Sequence, residues 1–310
     1  MFSFKSKLEH DVTAGITITP QGIALAIVTH KAAKPHLKYA QFYNCSPEEQ
    51  LALLIQLVSE HHLDEIPCNL VLSANEYQLL QVAMPDVAEN ELNSALRWQI
   101  KDLIDFDIDD AIIEHLSLPN NALGKEPKLV VACRQSLIQG YVDLLLSAHC
   151  NLESIDIASL ATRNIISQTS LGEIQTSIGV LNVWNDMAKI SVLLNNDLYM
   201  DRTSSLSLHS LLEATDGDSS DHTPLDSLAL ELQRTFDYYE SHSRQPSIMH
   251  LCILTNGAAI SNLEKLIQQR LGLDCLMINI TDFMTASATT LARVTNNCMM
   301  AIGGALRNEH

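Results

Sequence analysis

The chain has 310 residues, 46% of them hydrophobic, and carries 37 acidic against 19 basic residues for a formal charge of −18. That length allows one large core or two medium ones. So acidic a surface repels nucleic-acid phosphates and anionic lipid, which disfavours a nucleic-acid or membrane-surface binder.

No apolar run approaches the roughly 18 residues that a membrane span needs. The opening MFSFKSKLEHDV lacks the apolar core and cleavage site of a secretory signal, so neither a span nor a leader is expected. The seven cysteines are odd in number, scattered and without a C-x-x-C, and read as reduced core residues of a cytosolic protein.

Apolar strand-like runs cover 12–19, 22–29 and 36–43, the first two joined by a tight turn at Thr19-Pro20-Gln21-Gly22. A helix follows, with Ser46 as cap, Pro47 at its first position and Glu49 completing a capping box. Its expected buried stripe is Leu51, Leu54, Ile55 and Val58, and a short buried strand follows at 69–73.

A segment at 76–151 interrupts this half. Its helix, expected over 89–105, gathers Leu92, Leu96, Ile100 and Leu103 on one side. Trp98 lies nearly opposite, among Glu91, Ser94, Asp102 and Asp105. A polar loop NNALGKEP, a buried strand KLVVAC and a helix QSLIQGYVDLLLSAH complete the segment.

The opening pattern then recurs: strand 178–183, turn at Asn185-Asp186, strand 188–194, turn at 195–197 and a short strand. After the acidic, serine-rich ATDGDSSDH comes a helix capped by Thr223 and begun by Pro224, with Leu225, Leu228, Leu232, Phe236 and Tyr239 as its stripe. The strand HLCIL, a small-residue turn and a helix with Ser261 and Glu264 as capping box and Gly272 as stop follow. Two like halves, each a meander followed by helices, imply an α/β protein with a cleft between lobes.

The twelve histidines show no metal-ligand spacing, and there is no G-x-S-x-G, P-loop or G-x-G-x-x-G motif. The run DFDIDD at 105–110 lacks the glycine and distal glutamate of a calcium loop. No metal site and no catalytic residue is expected.

Several stretches, in order, resemble the PilM family of type IV pilus assembly proteins. They are VAMPDVAENELNSALRWQIKDLIDFDIDDAIIEH at 82–115, LELQRTFDYYES at 230–241, TNGAAISNLEKLIQQRLGLDC at 255–275 and AIGGALR at 301–307. The length and the Trp98 segment look most like the MshI branch, which serves mannose-sensitive haemagglutinin (MSHA) pili. The cytoplasmic half of the type II secretion L protein is similar too, although that protein continues into a membrane helix not found here.

The resemblance implies an actin-like, ribonuclease H-like two-lobed fold with an inserted subdomain in the first lobe. On that pattern 1–75 with 152–175 forms the first lobe core and 76–151 the insert. Residues 176–205 with 249–310 form the second lobe core, and 206–248 its helical subdomain. The resemblance also implies a cytoplasmic protein held at the inner membrane through a partner. The cleft face of the first lobe with the insert would take the N-terminal cytoplasmic tail of a PilN-like membrane protein.

Actin-like ATPases carry an Asp and a Gly in each of two phosphate loops, the carboxylates holding hydrated Mg²⁺ and the glycines opening backbone N–H groups to phosphate. Laid on this chain, the first Asp position is Thr17 and its Gly position Thr19, between Gly15 and Gly22. The second Asp position is Asn182 and its Gly position Trp184. Both charges are lost. Asp186 and Asp11 lie near enough in sequence to be considered as replacements, though out of register.

The adenosine turn is half kept, with Asn256, Gly257 and Ala258. Glu231, Gln233 and Arg234 sit where the family contacts base and ribose, yet they could equally be solvated. The expectation is a pseudo-ATPase with no resident cofactor, ATP being the one ligand the degenerate cleft could still take. Trp98, Asp102 and Asp105 are the candidate partner-binding residues. An active ATPase using displaced ligands and an actin-like polymer former are the competing readings.

Overall fold

The computed structural model describes residues 2–3, 11–31, 34–83, 85, 87–116, 127–173, 176–204, 206–216, 224–243, 245–256 and 263–307. The first lobe opens with β1 (Phe2–Ser3) and the meander β2 (Val12–Thr19), β3 (Gly22–Thr29) and β4 (His36–Asn44). β2 and β3 are apolar almost throughout and buried on both faces, as strands central to a covered sheet should be. A 3₁₀ turn at Pro47–Glu49 leads into α1 (Gln50–His61), with Glu49 accepting the Ser46 N–H at 2.8 Å.

Leu54 and Val58 of the expected α1 stripe are buried, joined by Gln50 and Leu57, whereas Leu51 and Ile55 are exposed. The α-helix proper begins only after the 3₁₀ turn, and Gln50 turns inward to donate to the Thr19 carbonyl at 2.9 Å.

β5 (Cys68–Leu72) then runs parallel to β2. The insert follows, with β6 (Tyr77–Ala83), α2 (Glu89–Ile100), β7 (Ala111–Leu116), β8 (Pro127–Arg134) and α3 (Gln135–Ser147). Its antiparallel sheet has the order β6-β8-β7. α2 covers one face of that sheet through Leu92, Leu96 and Ile100 against Val82, Val130 and Ala132. The helix ends at Ile100 rather than 105, so Leu103 leaves the stripe and is exposed. α3 turns away from the insert sheet to pack beside α1.

β9 (Leu152–Ile157) rejoins the first sheet parallel to β5, and α4 (Ala158–Ser167) follows it. The second lobe repeats the scheme: β10 (Ser177–Trp184), β11 (Ala188–Leu194), β12 (Asp197–Ser204), α5 (Leu208–Asp216), α6 (Pro224–Ser243), β13 (His250–Asn256), α7 (Leu263–Leu271) and β14 (Asp274–Met277). The expected α6 stripe, Leu225 to Tyr239, is buried throughout. Thr223, Ser261, Gly257 and Ala258 lie outside the described residues.

The two large sheets share one topology. The first runs β1-β9-β5-β2-β3-β4, ending in a short strand (Thr285–Ala286), and the second runs β12-β11-β10-β13-β14. In each, an antiparallel meander is extended by two parallel strands on the side of its first strand.

The end of the chain returns to the first lobe, although the sequence reading grouped it with the second. After α8 (Ile280–Phe283), the short strand, β15, pairs with β4; then come α9 (Ala288–Leu291) and α10 (Met299–Ala305). α10 is buried between β2, β5 and α4. Two glycines permit its close approach: a Cβ on Gly15 would stand 1.9 Å from the Ala301 carbonyl oxygen, and one on Gly303 2.4 Å from that of Ala161.

Candidate functional site: interlobe cleft and insert groove

The β2–β3 turn is a closed hairpin. Thr19 Oγ1 donates to the Gly22 carbonyl at 3.1 Å and accepts the Gln21 N–H at 3.3 Å, while the Gln21 carbonyl accepts Cys45 N–H at 3.2 Å. Gly22 permits the approach of β4, since a Cβ there would lie 2.0 Å from the Tyr43 oxygen. Thr17 is buried within the ladder, and Gly15 lies under α10 rather than at the turn. Asp11 stands at the other end of β2, six residues from Thr17 and so roughly 20 Å away along an extended strand. There it pairs with Lys31 at 2.9 Å, which removes it as a replacement ligand at this turn.

On β10, alternation turns Asn182 toward α4 and α10. The side chain is 2% exposed and its Nδ2 donates to Thr162 Oγ1 at 2.7 Å. Its Oδ1 accepts from Asn256 Nδ2 at the end of β13. Trp184 sits opposite Asn256 in the parallel ladder, its N–H bonded to the Met187 carbonyl at 2.8 Å, and Asp186 is exposed in the turn beyond. Glu231 is half-buried and Arg234 exposed on α6, flanking buried Leu232.

These residues do not fit a magnesium-bound triphosphate. The two positions that the resemblance assigns to metal-side acids offer a hydroxyl and a fully engaged amide where a hard cation needs charged oxygen. One polar atom at the cleft is left over: Asn256 Oδ1 is buried without a hydrogen-bond partner.

A narrow groove, with a free volume of about 30 Å³, separates the first sheet from the insert. One wall is Leu72, Ile155, Ile157 and Leu160, with Asp156 on the same strand as Ile155; the other is Ile112, Leu116, Val131 and Cys133, with Glu114 on the same strand as Ile112. It forms because β8 has two apolar faces. Val130 and Ala132 meet α2, whereas Leu129, Val131 and Cys133 face the first lobe. Burial pushes the Cys133 thiol up to about 11, so the neutral form faces the groove.

The sequence singles out none of these residues as a groove wall, because an apolar residue in a strand carries the same signal whether it meets a core or a groove.

Trp98 is 71% exposed, the most exposed large apolar side chain among the described residues, with Lys101 Nζ 5.4 Å from its ring centroid. Asp102 and Asp105 are exposed as expected, and Asp105 lies 3.8 Å from Arg134. All three belong to the outer side of the insert, beyond the sheet from the groove, and none lines it.

Among the described residues no group of His, Cys, Asp and Glu is placed to hold a metal ion, and no helix is long and apolar enough to cross a membrane.

No curated protein matches the chain. A structure described as the PilM–PilN type IV pilus biogenesis complex is similar, with 19% identity, 95% of this chain and 97% of that one covered, and a TM-score of 0.71. The cytoplasmic domain of EpsL, an inner membrane component of the type II secretion system of Vibrio cholerae, is similar over 84% of this chain and 94% of its own. Its identity is 13% and its TM-score 0.51. A Bacteroides thetaiotaomicron protein with an actin-like ATPase fold and unknown function is similar over 87% of this chain and 91% of its own, at 10% identity and a TM-score of 0.51.

At these identities the structures show the fold, which is actin-like with the expected insert. The family model described as type IV pilus assembly protein PilM matches residues 60–212 and 223–309, and the chain therefore belongs to the PilM family of type IV pilus assembly proteins.

Proposed function

We propose that this protein is a non-catalytic scaffold at the cytoplasmic face of the inner membrane. It holds the N-terminal cytoplasmic tail of a PilN-like membrane protein and so ties the pilus alignment complex to other assembly proteins in the cytosol. The observation that carries this reading is the groove between the first sheet and the insert, whose mainly apolar walls, with Glu114 and Asp156 among them, would receive an apolar side chain of the tail as the two walls part to admit it. The PilM–PilN complex among the similar structures supports the choice of partner. Service to an MSHA-type pilus, in the manner of MshI, is the narrower form of the proposal and rests on the sequence resemblance alone.

Loss of catalysis follows from the chemistry of Thr17, Thr19, Asn182 and Trp184, which offer neither carboxylate nor open backbone to Mg·ATP. Calorimetric titration with a synthetic peptide of the PilN-like tail tests the partner. Wild type should bind it, Ile112→Arg in the groove should weaken binding at least tenfold, and Trp98→Ala should leave it unchanged. The opposite order would move the site to the Trp98 face.

A second reading, an actin-like ATPase with displaced ligands, gains its one support from Asn256 Oδ1, a buried acceptor that a purine amine could satisfy. Micromolar, Mg²⁺-dependent ATP binding lost in Asp186→Ala would favour it; ATP binding that is absent, or indifferent to that substitution, favours the scaffold.

A further inference from the structure

Tyr77 of β6 stands directly opposite Cys133 of β8, and Cys133 belongs to the insert wall of the groove. The Tyr77 hydroxyl meets Ser159 twice, at 2.7 Å from its Oγ and 3.1 Å from its N–H. Ser159 lies in the first turn of α4 between Ile157 and Leu160, which belong to the opposite wall. Both walls are therefore joined through one pair of hydrogen bonds.

Ser159 Oγ also lies 3.2 Å from Asp201 Oδ2 and donates to it. Its single hydroxyl proton is thereby committed, so Tyr77 O–H donates to Ser159 Oγ while accepting the Ser159 N–H. Asp201 Oδ2 holds Lys189 Nζ at 2.7 Å, and its Oδ1 accepts from Ser191. The Lys189 ammonium lies 4.3 Å from the Tyr77 ring centroid, and the side chains of the ion pair are only 3% and 1% exposed.

Burial opposes the charge on Lys189, but the Asp201 carboxylate and Tyr77 outweigh it and raise the lysine pKa above its ordinary value. A buried ion pair is weak evidence for stability, since apolar replacements often do as well. Its position, where insert, first lobe and second sheet meet, gives it a geometric role instead.

We propose that Tyr77, Ser159, Asp201 and Lys189 form a clamp that fixes the width of the groove and anchors it to the second lobe. Tyr77 and Ser159 hold the walls together, and the β11–β12 ion pair holds Ser159. These are positioning residues, and the clamp acts whatever occupies the groove.

The Cys133 thiol, 2% exposed, reports groove opening without any ligand. In the full chain, alkylation by iodoacetamide is followed by mass spectrometry at the peptides containing Cys133 and Cys252, the latter buried in the second sheet. Tyr77→Phe keeps the ring beneath Lys189 and removes only the hydroxyl; Ser159→Ala removes the other side of the contact.

In whichever variant folds, Cys133 should be modified about tenfold faster than in wild type, the scale of losing one or two hydrogen bonds from a local opening, with Cys252 unchanged. Unchanged Cys133 reactivity in a folded variant would overturn the clamp. Equal acceleration at Cys133 and Cys252 would overturn it too, because that marks general loosening.

Discussion

Asn182 Nδ2 donates to Thr162 Oγ1 at 2.7 Å, and this contact joins the second sheet to α4 at the residue that the sequence resemblance sets against a metal-side carboxylate. Restoring the acid therefore should not restore the site. Asn182→Asp would remove the donor to Thr162 and place a charge in a pocket 2% exposed, at a cost of about 2–4 kcal/mol. Urea unfolding should show the loss, and calorimetry should show no Mg²⁺-dependent ATP binding gained.

Gly303 and Gly140 should respond in opposite directions to alanine. A Cβ at Gly303 would lie 2.4 Å from backbone oxygen, whereas one at Gly140, exposed in α3, would meet nothing within 4 Å. Gly303→Ala should destabilise by about 1–3 kcal/mol or more, and Gly140→Ala should stabilise by about 0.5–1 kcal/mol through helix propensity. Thermal midpoints of the two variants measure the contrast.

Lys189→Met would leave Asp201 charged, buried and without its counter-ion, a change that commonly costs about 3–5 kcal/mol. Adding Asp201→Leu should recover much of that loss, because no uncompensated charge remains. Denaturant midpoints of the single and double variants decide the point.

Asp156 gives a pH dependence of definite sign. Burial raises its carboxyl pKa, with the nearby Arg307 opposing the shift less strongly. The folded state thus holds a proton that the unfolded state has already released. Stability should fall as pH rises from the ordinary aspartate value of 3.8 through the folded value, then level off. Glu76, also raised by burial, adds a slope of the same sign, so Asp156→Asn should flatten only part of it. Urea midpoints across an acid pH series would show both slopes.

Trp98→Ala should change stability by no more than about 0.5 kcal/mol, since the ring packs against no core. A larger loss in the midpoint of thermal unfolding would mean that the ring supports the insert.

The fold was legible in the sequence because its signals are periodic and strong. Both meanders and the α6 stripe stand where the apolar spacing puts them. Of the cleft, the sequence shows only that Thr17 and Asn182 carry no charge; their burial and the Asn182 contacts with Thr162 and Asn256 appear only in the structure. The groove was not legible, because Ile112 and Leu160 look like any core residue until two sheets are placed face to face. Nor was the clamp, which unites β6, α4, β11 and β12 across more than a hundred residues. The one local sign was Lys189, the single charge in the buried strand AKISVLL. Chain return was hidden for a related reason: nothing in MMAIGGA says which sheet its small residues will approach.

Hydrogen–deuterium exchange of the full chain, with and without the PilN-like tail peptide, tests the scaffold reading most directly. Protection at Ile112–Leu116, at Val131–Cys133 and around Leu160 is the predicted result. Protection confined to the helix bearing Trp98, or none at all at saturating peptide, would contradict it.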